Sequence, residues 1–446
     1  MKYPRPPGPK GSPIFGVAVD FWRDSIASLQ AWTREYGDVV YFRTGPYVVH
    51  FYFLNDPDAI REVLARQADQ FERPALIKRF LGTFLGNGVL LSDGPTHERQ
   101  RKMIFPALCP RSVKSYAECM VQCTQDMMDR WKPGDVIDIE PVMTGLALTI
   151  GCRTLFGKDA DDIVDFVFDA SEKAQRYINR IFRSFIPIPI WIPTPRNRAL
   201  KASLREGDRI IMDLIAERRA SGADEGDLLS MLLQADQAEG GADDKEIRDQ
   251  VATLSMVGHE TTATALTWTW YLLSLHPEVE AKLVAQVREV IGDRAPTVED
   301  VPNLSYVNMV FRETLRLYPP VWIFSRTATA DVDVGPVTIP KGGTVAVSPY
   351  ITQRDPRYFD DPESFRPERF APGTEEKINR YANFPFGAGQ RGCLGENFAI
   401  TEAVLILSAV VQRYRFSLAP GQAIATDPMI TLRPRNGIRM QVQGRD

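Results

Sequence analysis

The sequence predicts a mainly α-helical protein with a minor β region, folded as a single large domain over residues 1–446. Helical periodicity dominates from about residue 95 to residue 320, where strand signals are few. Short runs rich in β-branched and aromatic residues lie before and after that stretch. The chain has no internal repeat and no low-complexity tract, so we expect a β-containing N-terminal lobe at 1–70 and a helical bulk at 71–446.

The N-terminal lobe is predicted to hold one helix and two strands. The helix covers Trp22–Tyr36, and the strands cover Val39–Phe42 and Tyr47–Phe53. The proline-rich start, Tyr3–Pro13, lacks the apolar core of a signal peptide. No window of the chain approaches about 18 uninterrupted apolar residues, so we expect no transmembrane anchor.

The helical bulk is predicted to contain one very long helix. It covers Asp244–Leu275, which is roughly 48 Å at 1.5 Å per residue, and it ends at His276 before a proline. A second helix is predicted at Leu304–Tyr318. The segment Phe185–Pro195 is predicted to be an apolar loop, because prolines recur every second or third residue. Three further elements, two strands and a helix, are predicted at Val332–Ile339, Thr344–Val347 and Glu396–Val411.

Composition and charge narrow the function classes. The net charge of −4 and the isoelectric point near 5.8 give no bulk attraction to nucleic acid, so nucleic acid is not expected as a partner. Five cysteines, an odd number in a long chain, favour a reducing compartment, the cytoplasm, over a disulfide framework. Cys119 and Cys123 are interpreted as packing residues, because no histidine or second cysteine pair accompanies them.

The most informative segment is the glycine-rich stretch Phe386–Gly395 (FGAGQRGCLG), in which an arginine precedes a cysteine by two residues. A metal-ligating thiolate needs access, hydrogen-bond donors for its charge and a backbone that curls around it. Gly389, Gly392 and Gly395 are expected to supply that conformational freedom. The dipole of the helix predicted after the loop would also favour the anion. The segment therefore predicts that Cys393 ligates a metal.

A second interpretation of the same segment is a dinucleotide-binding G-x-G-x-x-G, formed by Gly387, Gly389 and Gly392. That motif should follow a buried strand and precede an acidic residue by about twenty positions. The preceding residues 383–386 form a poor strand, and no acidic residue lies at Val410–Tyr414. We therefore set the dinucleotide interpretation aside.

The loop closely resembles the haem-ligand loop of the cytochrome P-450 family, the haem-thiolate monooxygenases, at all five fixed positions of F-x-x-G-x-R-x-C-x-G. The resemblance extends across nearly the whole chain and implies a cytochrome P-450 fold, a haem b cofactor and Cys393 as the proximal iron ligand. It also implies that Phe386 and Gly395 help to hold the cofactor. Because the proline-rich start resembles the hinge after the anchor of microsomal members, the chain looks like a soluble bacterial-type member, although an anchor that had been removed would leave the same start.

Four side chains resemble the residues with which the family binds the haem propionates. His97 and Arg101 match its aromatic-or-His-x-x-x-Arg segment and lie on a predicted helix. Arg326 and Arg391 match its other propionate partners. Propionates are carboxylates, so forked guanidinium donors suit them.

Three charged residues resemble the family's structural network. Glu313 and Arg316 lie three residues apart on one helix face, where a solvated pair contributes only about 0.2–0.5 kcal/mol. The segment Phe365–Phe370 resembles the family's P-E-R-F segment, in which the second arginine, here Arg369, joins the pair in a buried network that braces the cysteine loop. The resemblance thus implies a structural role for all three.

The segment Val257–Thr262 (VGHETT) resembles the family's oxygen-activation segment. Gly258 inside a helix costs about 1 kcal/mol relative to alanine, which room for dioxygen and a loosened backbone bond would justify. The resemblance implies that Thr261 hydrogen-bonds dioxygen and that Glu260 relays protons from solvent through water.

Val257 departs from the family pattern, and His259 lies off the helix face that carries Thr261. The family usually has Ala or Gly at the first position, so Val257 is expected to lean over the haem and narrow the pocket. His259 falls off the face shared by Val257 and Thr261. It is therefore interpreted as a polar residue near the haem rim or solvent rather than as a second iron ligand.

Apolar side chains from four parts of the chain are predicted to line a substrate pocket. They are Phe80 and Phe84, Leu254 and Val257, Trp322 and Ile323, and Ile430. Burying one such side chain against a ligand contributes about 1.5–3 kcal/mol, so a lipophilic substrate is favoured, although each residue could equally belong to the core. Fatty acids, terpenoids and xenobiotics all remain open, with fatty acids slightly ahead.

Together these features predict a haem-thiolate monooxygenase that inserts one oxygen atom from O2 into an apolar substrate by hydroxylation or epoxidation. The sequence has no flavin or iron–sulfur module, so a ferredoxin or flavodoxin with its reductase is the expected donor, docking at Arg99, Lys102 and Arg391. The protein is expected to be a monomer. Two alternatives stay open: a peroxide-using peroxygenase or isomerase, against which Glu260 and Thr261 argue, and a non-catalytic haem-binding sensor.

Overall fold

The computed structural model describes residues 3–45, 49–157, 161–183, 188–222, 224–238 and 243–445. The α-helices in these ranges are α1 Ala18–Arg23, α2 Ser25–Tyr36, α3 Pro57–Arg61, α4 Ala75–Leu85, α5 Gly94–Leu108, α6 Pro110–Met128, α7 Ile139–Phe156, α8 Asp161–Arg183, α9 Pro195–Ser221, α10 Leu228–Ala238, α11 Asp244–Leu275, α12 Pro277–Val290, α13 Ser305–Leu317, α14 Pro349–Thr352 and α15 Glu396–Arg413. The strands are β1 Val39–Thr44, β2 Val49–Leu54, β3 Phe71–Glu72, β4 Val136–Asp138, β5 Phe324–Ala328, β6 Val332–Val334, β7 Val337–Ile339, β8 Thr344–Val347, β9 Tyr414–Leu418, β10 Thr426–Pro428, β11 Leu432–Pro434 and β12 Arg439–Gly444. The predicted fold class, mainly α with small sheets, is confirmed.

The largest sheet joins distant parts of the chain. Its strand order is β1-β2-β8-β5-β3. β1 and β2 form an antiparallel hairpin, and β2 then pairs in parallel with β8, so that Phe51–Leu54 lie beside Thr344–Val347. The N-terminal lobe is therefore completed by strands that come more than 270 residues later in the sequence. The smaller sheets are β4-β12-β9, β6-β7 and β10-β11.

The predicted helix Trp22–Tyr36 is wrong in one respect, because the structure divides it in two at Asp24. Asp24 adopts an extended conformation, and its side chain accepts a hydrogen bond from the N–H of Ala27. An aspartate in this position satisfies a donor at the start of a helix, so it begins α2 instead of continuing α1. The predicted strand Val332–Ile339 is similarly a hairpin, β6-β7, turned at Gly335 with φ +56°.

The predicted helix Asp244–Leu275 is confirmed at both ends, with Asp243 capping α11 through a bond from Lys245 N–H at 3.2 Å. The predicted strand at β8 is confirmed, and the helices α13 and α15 agree to within two residues. Residues 188–194 of the predicted apolar loop are non-helical, while residues 185–187 lie outside the described ranges.

The main core surrounds α11. Trp268 and Trp270 of this helix are buried in a cluster that also takes side chains from α6, α7, α12, α13 and α15. α11 therefore runs through the middle of the protein, between the apolar side chains of α7 and those of α13. Within the described residues, no helix combines the length and the apolar character needed to span a bilayer.

Candidate active site

The loop Phe386–Gly395 is held by hydrogen bonds within its own backbone. The N–H of Cys393 donates to the carbonyl oxygen of Phe386 at 2.9 Å, and that of Gly392 donates to Gly389 at 3.0 Å. These bonds curl the chain so that the cysteine lies immediately before α15, whose N-terminal end favours negative charge.

The loop needs its glycines at positions that differ in part from the prediction. Gly387 and Gly389 have φ of +70° and +68°, which disfavours any side chain. Gly392 and Gly395 have φ of −59° and −88°, so the conformational freedom expected of them is not used. At Gly389 an added Cβ would also lie 1.9 Å from the carbonyl oxygen of Leu64, so this loop packs directly on the backbone that follows α3.

Cys393 has solvent-accessible surface although protein atoms surround it closely, so its thiol faces an enclosed space. Burial raises its pKa, and the carboxyl group of Glu396 adds to that effect. The N–H of Gly395 and the guanidinium of Arg101 oppose it, since both stabilise a thiolate. Arg101 Nη1 donates to the carbonyl oxygen of Gly392 at 2.7 Å, which fixes this cation beside the cysteine.

A cluster of arginine side chains and one histidine lies on the side of the loop that Arg101 contacts. Burial and the neighbouring Arg391 lower the pKa of His97 to about 4, so its imidazole is neutral. Burial, together with Arg73 and Arg391, lowers the pKa of Arg326 well below its usual value. Asp93 is the carboxylate that opposes them, and it pairs with Arg391. The structure thus brings together the four predicted propionate partners, Arg101 included.

Arg73 also belongs to this cluster, and sequence reasoning missed it. Burial and Arg391 lower its pKa to about 10, and its Nε has no hydrogen-bond partner among the described residues. A buried donor without a partner costs about 1–3 kcal/mol, so an acceptor is expected there. No local pattern distinguishes Arg73 from other arginines, because its place in the cluster depends on packing between distant segments.

The predicted structural network is present and fully buried. Arg316 donates to both carboxylate oxygens of Glu313, at 2.7 and 2.8 Å, and Arg369 Nε donates to the same carboxylate at 3.3 Å. The side chains of Glu313 and Arg316 are each 0% exposed. Such pairs stabilise a fold only when their remaining donors are satisfied, and here Arg316 also donates to the carbonyl oxygens of Pro362 and Ser364 at 2.6 and 3.1 Å.

Gln353 connects this network to the cysteine loop, and sequence reasoning missed it. Its side-chain nitrogen donates to the carbonyl oxygens of Leu315 and Arg316, at 3.1 and 2.9 Å. Its side-chain oxygen accepts from the N–H of Phe384 at 3.0 Å, two residues before the loop begins. Gln353 therefore fixes the position of the loop relative to α13.

The Val257–Thr262 segment lies within α11, which continues unbroken through Gly258, so the loosening expected there does not interrupt the helix. Thr261 is partly buried, and its hydroxyl donates to the carbonyl oxygen of Val257 at 3.0 Å. Among the described residues, no atom beyond the helix lies within 4 Å of a Cβ added at Gly258. The helix surface at Gly258 therefore has open space beside it.

Glu260 points away from solvent toward the β10-β11 hairpin. Its carboxylate accepts from the hydroxyl of Thr431 at 2.7 Å and pairs with Arg433 Nη2 at 3.1 Å. His259 is also buried, with its Nδ1 2.6 Å from the carbonyl oxygen of Ser255, so it does not lie at solvent, and its other expected place, near the haem rim, stays a prediction.

Part of the predicted substrate wall forms one apolar cluster. Phe80 and Phe84 of α4 lie in it with Met256 of α11 and Ile430. The ring of Phe84 packs against that of Tyr177, with their centroids 5.9 Å apart. The side chains before α5, on α11 and near the C-terminus therefore converge.

The other predicted wall residues lie elsewhere. Leu254 packs against the cluster formed by α5, α7 and α10, beside Leu394. Trp322 is buried in the core of the β lobe, and Ile323 packs against the same core. The indole N–H of Trp322 donates to the carbonyl oxygen of Met429 at 2.8 Å. Val257, next to Met256 in the sequence, is half-buried on α11.

One of the predicted docking cations is misplaced. Arg391 has a side chain only 8% exposed and pairs with Asp93, so it is not available on the surface. Arg99 donates to both carboxylate oxygens of Glu246, at 2.6 and 2.7 Å. Lys102 is exposed on α5, where Phe105 is exposed as well.

The comparison with protein families decides what this arrangement is. The family model described as cytochrome P450 matches residues 6–441. The chain belongs to the cytochrome P-450 family. It is accordingly a monooxygenase that uses O2 and a redox partner and binds haem b.

Three curated bacterial relatives cover almost the whole chain. Cyclooctatin synthase of Streptomyces melanosporofaciens is 36% identical over 430 residues, covering 95% of this chain and 92% of the relative. Cyclooctat-9-en-7-ol 5-monooxygenase of the same organism is 35% identical over 93% of this chain and 90% of its own. Pentalenene oxygenase of Streptomyces avermitilis is 32% identical over 98% of this chain and 97% of its own.

Solved structures of this family share the fold. The haem domain of cytochrome P-450DA has a TM-score of 0.87 at 24% identity, covering 100% of this chain and 99% of its own. The retinoic acid bound cyanobacterial protein CYP120A1 has a TM-score of 0.88 at 25% identity, covering 100% of both chains. The architecture described above is thus that of a cytochrome P-450 haem domain.

The residues of this cytochrome P-450 fit its cofactor. In the part of the chain that the structure describes, four guanidinium groups and one imidazole gather near the carboxylate of Asp93, and Arg73 Nε lacks an acceptor, so the cluster suits an additional anionic group. The propionates of haem are such a group. Cys393, in its enclosed space, is the thiol donor near this cluster, because Arg101 contacts the loop and also acts on His97.

Proposed function

We propose that this cytochrome P-450 oxygenates a terpenoid, by hydroxylation or epoxidation, with electrons from a ferredoxin or flavodoxin and its reductase. The names of three relatives speak of cyclooctatin, cyclooctat-9-en-7-ol and pentalenene. These names favour terpenoids over fatty acids and xenobiotics among the three classes that the sequence leaves open.

The observation that carries the proposal is the apolar cluster of Phe80, Phe84, Met256 and Ile430 beside the α11 segment. These four side chains are apolar and take part in no ion pair among the described residues, so they offer a substrate only apolar contacts. A hydrocarbon skeleton gains about 25 cal/mol per Å2 of apolar surface removed from water in such a site. A terpenoid would therefore be held by its ring surface.

The cofactor, when bound, supplies the oxygen-activating chemistry, and the protein supplies position, protons and exclusion of water. Cys393 provides the thiolate, stabilised by the N–H of Gly395 and by Arg101. Arg73, His97, Arg326 and Arg391 hold the propionates, since their charges and donors suit carboxylates.

Thr261 and Glu260 are proposed to deliver protons at the reacting end of the substrate. The Thr261 hydroxyl already donates to the carbonyl of Val257, and a rotation about one bond would let it donate toward the open space beside Gly258. Glu260 is the adjacent carboxyl group, held by Thr431 and Arg433. A carboxyl next to a hydroxyl is a suitable pair for general acid–base work.

Lys102 and Phe105 on α5 are proposed as part of the docking surface for the electron donor. Both are exposed, and Arg101 of the same helix contacts the cysteine loop. A cation beside an exposed aromatic ring suits an acidic partner, and the attraction would weaken with salt.

The proposal is tested by turnover of the haem-loaded protein with a ferredoxin, its reductase, a nicotinamide reductant and isotopically labelled dioxygen. The substrates are matched panels of cyclic terpenoids, fatty acids and aromatic xenobiotics. We expect labelled oxygen in a terpenoid product, and none with Cys393→Ser. Products from fatty acids alone would contradict the substrate class. Product made with peroxide but not with the electron donor would instead favour the peroxygenase.

A further inference from the structure

A buried carboxylate, that of Glu260, and a partly exposed one, that of Glu140, share one arginine next to the oxygen-activation segment. Arg433 of β11 pairs with Glu260 of α11 through Nη2 at 3.1 Å and with Glu140, in the first turn of α7, through Nη1 at 3.4 Å. One oxygen of Glu260 and one oxygen of Glu140 thus lie beside the two terminal nitrogens of the same guanidinium group. This group is planar and holds carboxylates in fixed directions. Thr431 restrains Glu260 further through its hydroxyl, at 2.7 Å.

The electrostatic surroundings of Glu140 favour its protonated form. Among the groups that act on it in the described part of the chain, Arg433 lowers its pKa, whereas Asp138, Glu260 and Asp427 raise it. Burial raises the pKa of Glu140 to about 7, and these three acids add to that effect while Arg433 opposes it. Near neutral pH, therefore, Glu140 carries a proton part of the time.

The two carboxyl groups differ in access to solvent. The side chain of Glu140 is 18% exposed and that of Glu260 is 7% exposed, so a proton from water reaches Glu140 first. His259, which also lies beside Glu260, is buried and its pKa is lowered mainly by that burial. As a neutral ring whose Nδ1 is bound to the carbonyl of Ser255, it has no excess proton to supply.

We propose that Glu140 is the outer proton donor of this enzyme, which takes protons from solvent and passes them to Glu260, with Arg433 as the positioning residue. The inference rests on the proposed role of Glu260 in oxygen activation. In each transfer the carboxylic acid of Glu140 loses its proton to the Glu260 carboxylate and regains one from water. Nothing is oxidised or reduced in these steps, and the guanidinium of Arg433 keeps its protons.

The first test needs no turnover. Infrared difference spectra of the protein, taken across a pH titration, report the protonated carboxyl groups. We expect a band titrating near pH 7 that is lost in Glu140→Gln. Its midpoint should fall in Glu260→Gln, because that change removes a negative charge that raises the pKa of Glu140. Glu280→Gln is the matched control, since Glu280 is a buried carboxyl on α12 whose pKa burial also raises, and it should leave the band in place.

The same titration has a consequence for stability. Because burial raises the pKa of Glu140 from 4.5 to about 7, its contribution to stability is fully present below pH 4.5 and is lost as the pH rises through 7. The melting temperature of the wild type should therefore fall across this window relative to that of Glu140→Gln. If the melting temperatures of the two proteins change with pH in parallel, the proposed pair is overturned. An infrared midpoint that does not shift in Glu260→Gln would overturn it as well.

The second test measures turnover with the donor and a terpenoid that the wild type oxygenates. Glu140→Gln should lower the fraction of electrons recovered in product several-fold and raise peroxide release, because slow proton supply leaves reduced oxygen in the site for longer. Glu140→Asp, which restores a carboxyl, should recover much of the loss, and Thr261→Ala serves as the reference for a broken relay. Each variant is first checked for the red-shifted band of its ferrous carbon monoxide complex, so that lost cofactor is not mistaken for lost protons.

The outcomes separate the two proposals. If Glu140→Gln keeps the product-to-peroxide ratio and the pH profile of the wild type, the proton route is overturned while the oxygenase function stands. If the wild type oxygenates no terpenoid, the proposed substrate class fails, and the infrared midpoint in Glu260→Gln then decides the carboxyl pair alone.

Discussion

Gly389 is a residue of the cysteine loop that packs against the backbone of the N-terminal lobe at Leu64. Its φ of +68° and the 1.9 Å separation of an added Cβ from the carbonyl oxygen of Leu64 act together. Gly389→Ala should therefore lower the free energy of unfolding by at least about 1–2 kcal/mol and displace the loop. Urea unfolding and the carbon monoxide band of the haem-loaded protein measure both effects.

Gly292→Ala is the matched control for this change. Gly292 has nearly the same φ, +66°, but no atom lies within 4 Å of an added Cβ. It carries the conformational cost without the collision. If Gly389→Ala proved no more damaging than Gly292→Ala, the contact with Leu64 would not matter.

At this scale the sequence indicates residues whose partners are close in the chain or belong to a recognisable pattern. Cys393 and Arg101 were predicted because each belongs to a short motif. Arg73 and Gln353 were missed, since the groups that make them important lie on segments far away in sequence. Trp322 satisfied the hydrophobic criterion for a pocket but its indole N–H is bound within the core.

Among the elements, α13 is connected to the cysteine loop by the hydrogen bonds of the Gln353 side chain. Gln353→Leu would leave the N–H of Phe384 and the carbonyl oxygen of Leu315 without this partner. Unsatisfied buried groups cost about 1–3 kcal/mol each, so we expect a loss of stability of that order together with a weakened thiolate band. Urea unfolding and carbon monoxide spectra of the haem-loaded protein are the measurements.

The stability loss alone would not identify a coupling, because any core substitution produces one. Val307→Ala is a suitable comparison, since it removes buried apolar atoms from α13 but leaves the Gln353 bonds to Leu315 and Arg316 in place. At equal loss of stability, the thiolate band should suffer more in Gln353→Leu. Equal bands in the two variants would argue against the coupling.

Helices were predicted more accurately than their interruptions. Asp243 and the proline after His276 are strong local signals, so both ends of α11 follow from the sequence. The break between α1 and α2 depends on whether Asp24 caps one helix or sits inside another, and periodicity alone does not decide that. The pairing of β2 with β8 has no local signal at all.

Across the whole molecule, the predicted N-terminal lobe is not closed by its own strands. β1 and β2 form an isolated hairpin until β8 and β5 are added, and two-stranded sheets are marginal in water. A fragment of residues 1–72 should therefore be unfolded, as measured by circular dichroism and urea titration, whereas the full chain should unfold cooperatively. A cooperative transition in the fragment would establish a separate domain.

The β10-β11 hairpin contacts both the apolar cluster and the carboxylate of Glu260. Ile430 packs in the apolar cluster proposed to receive the substrate. Thr431 and Arg433, one and three residues later, bind the carboxylate of Glu260. A substitution at Ile430 that makes room for a bulkier substrate should also shift Thr431 and Arg433, which bind the carboxylate of Glu260. Altered substrate selectivity and a larger loss of electrons to side products should therefore occur together. A compensating change near Thr431 would be needed to separate the two effects.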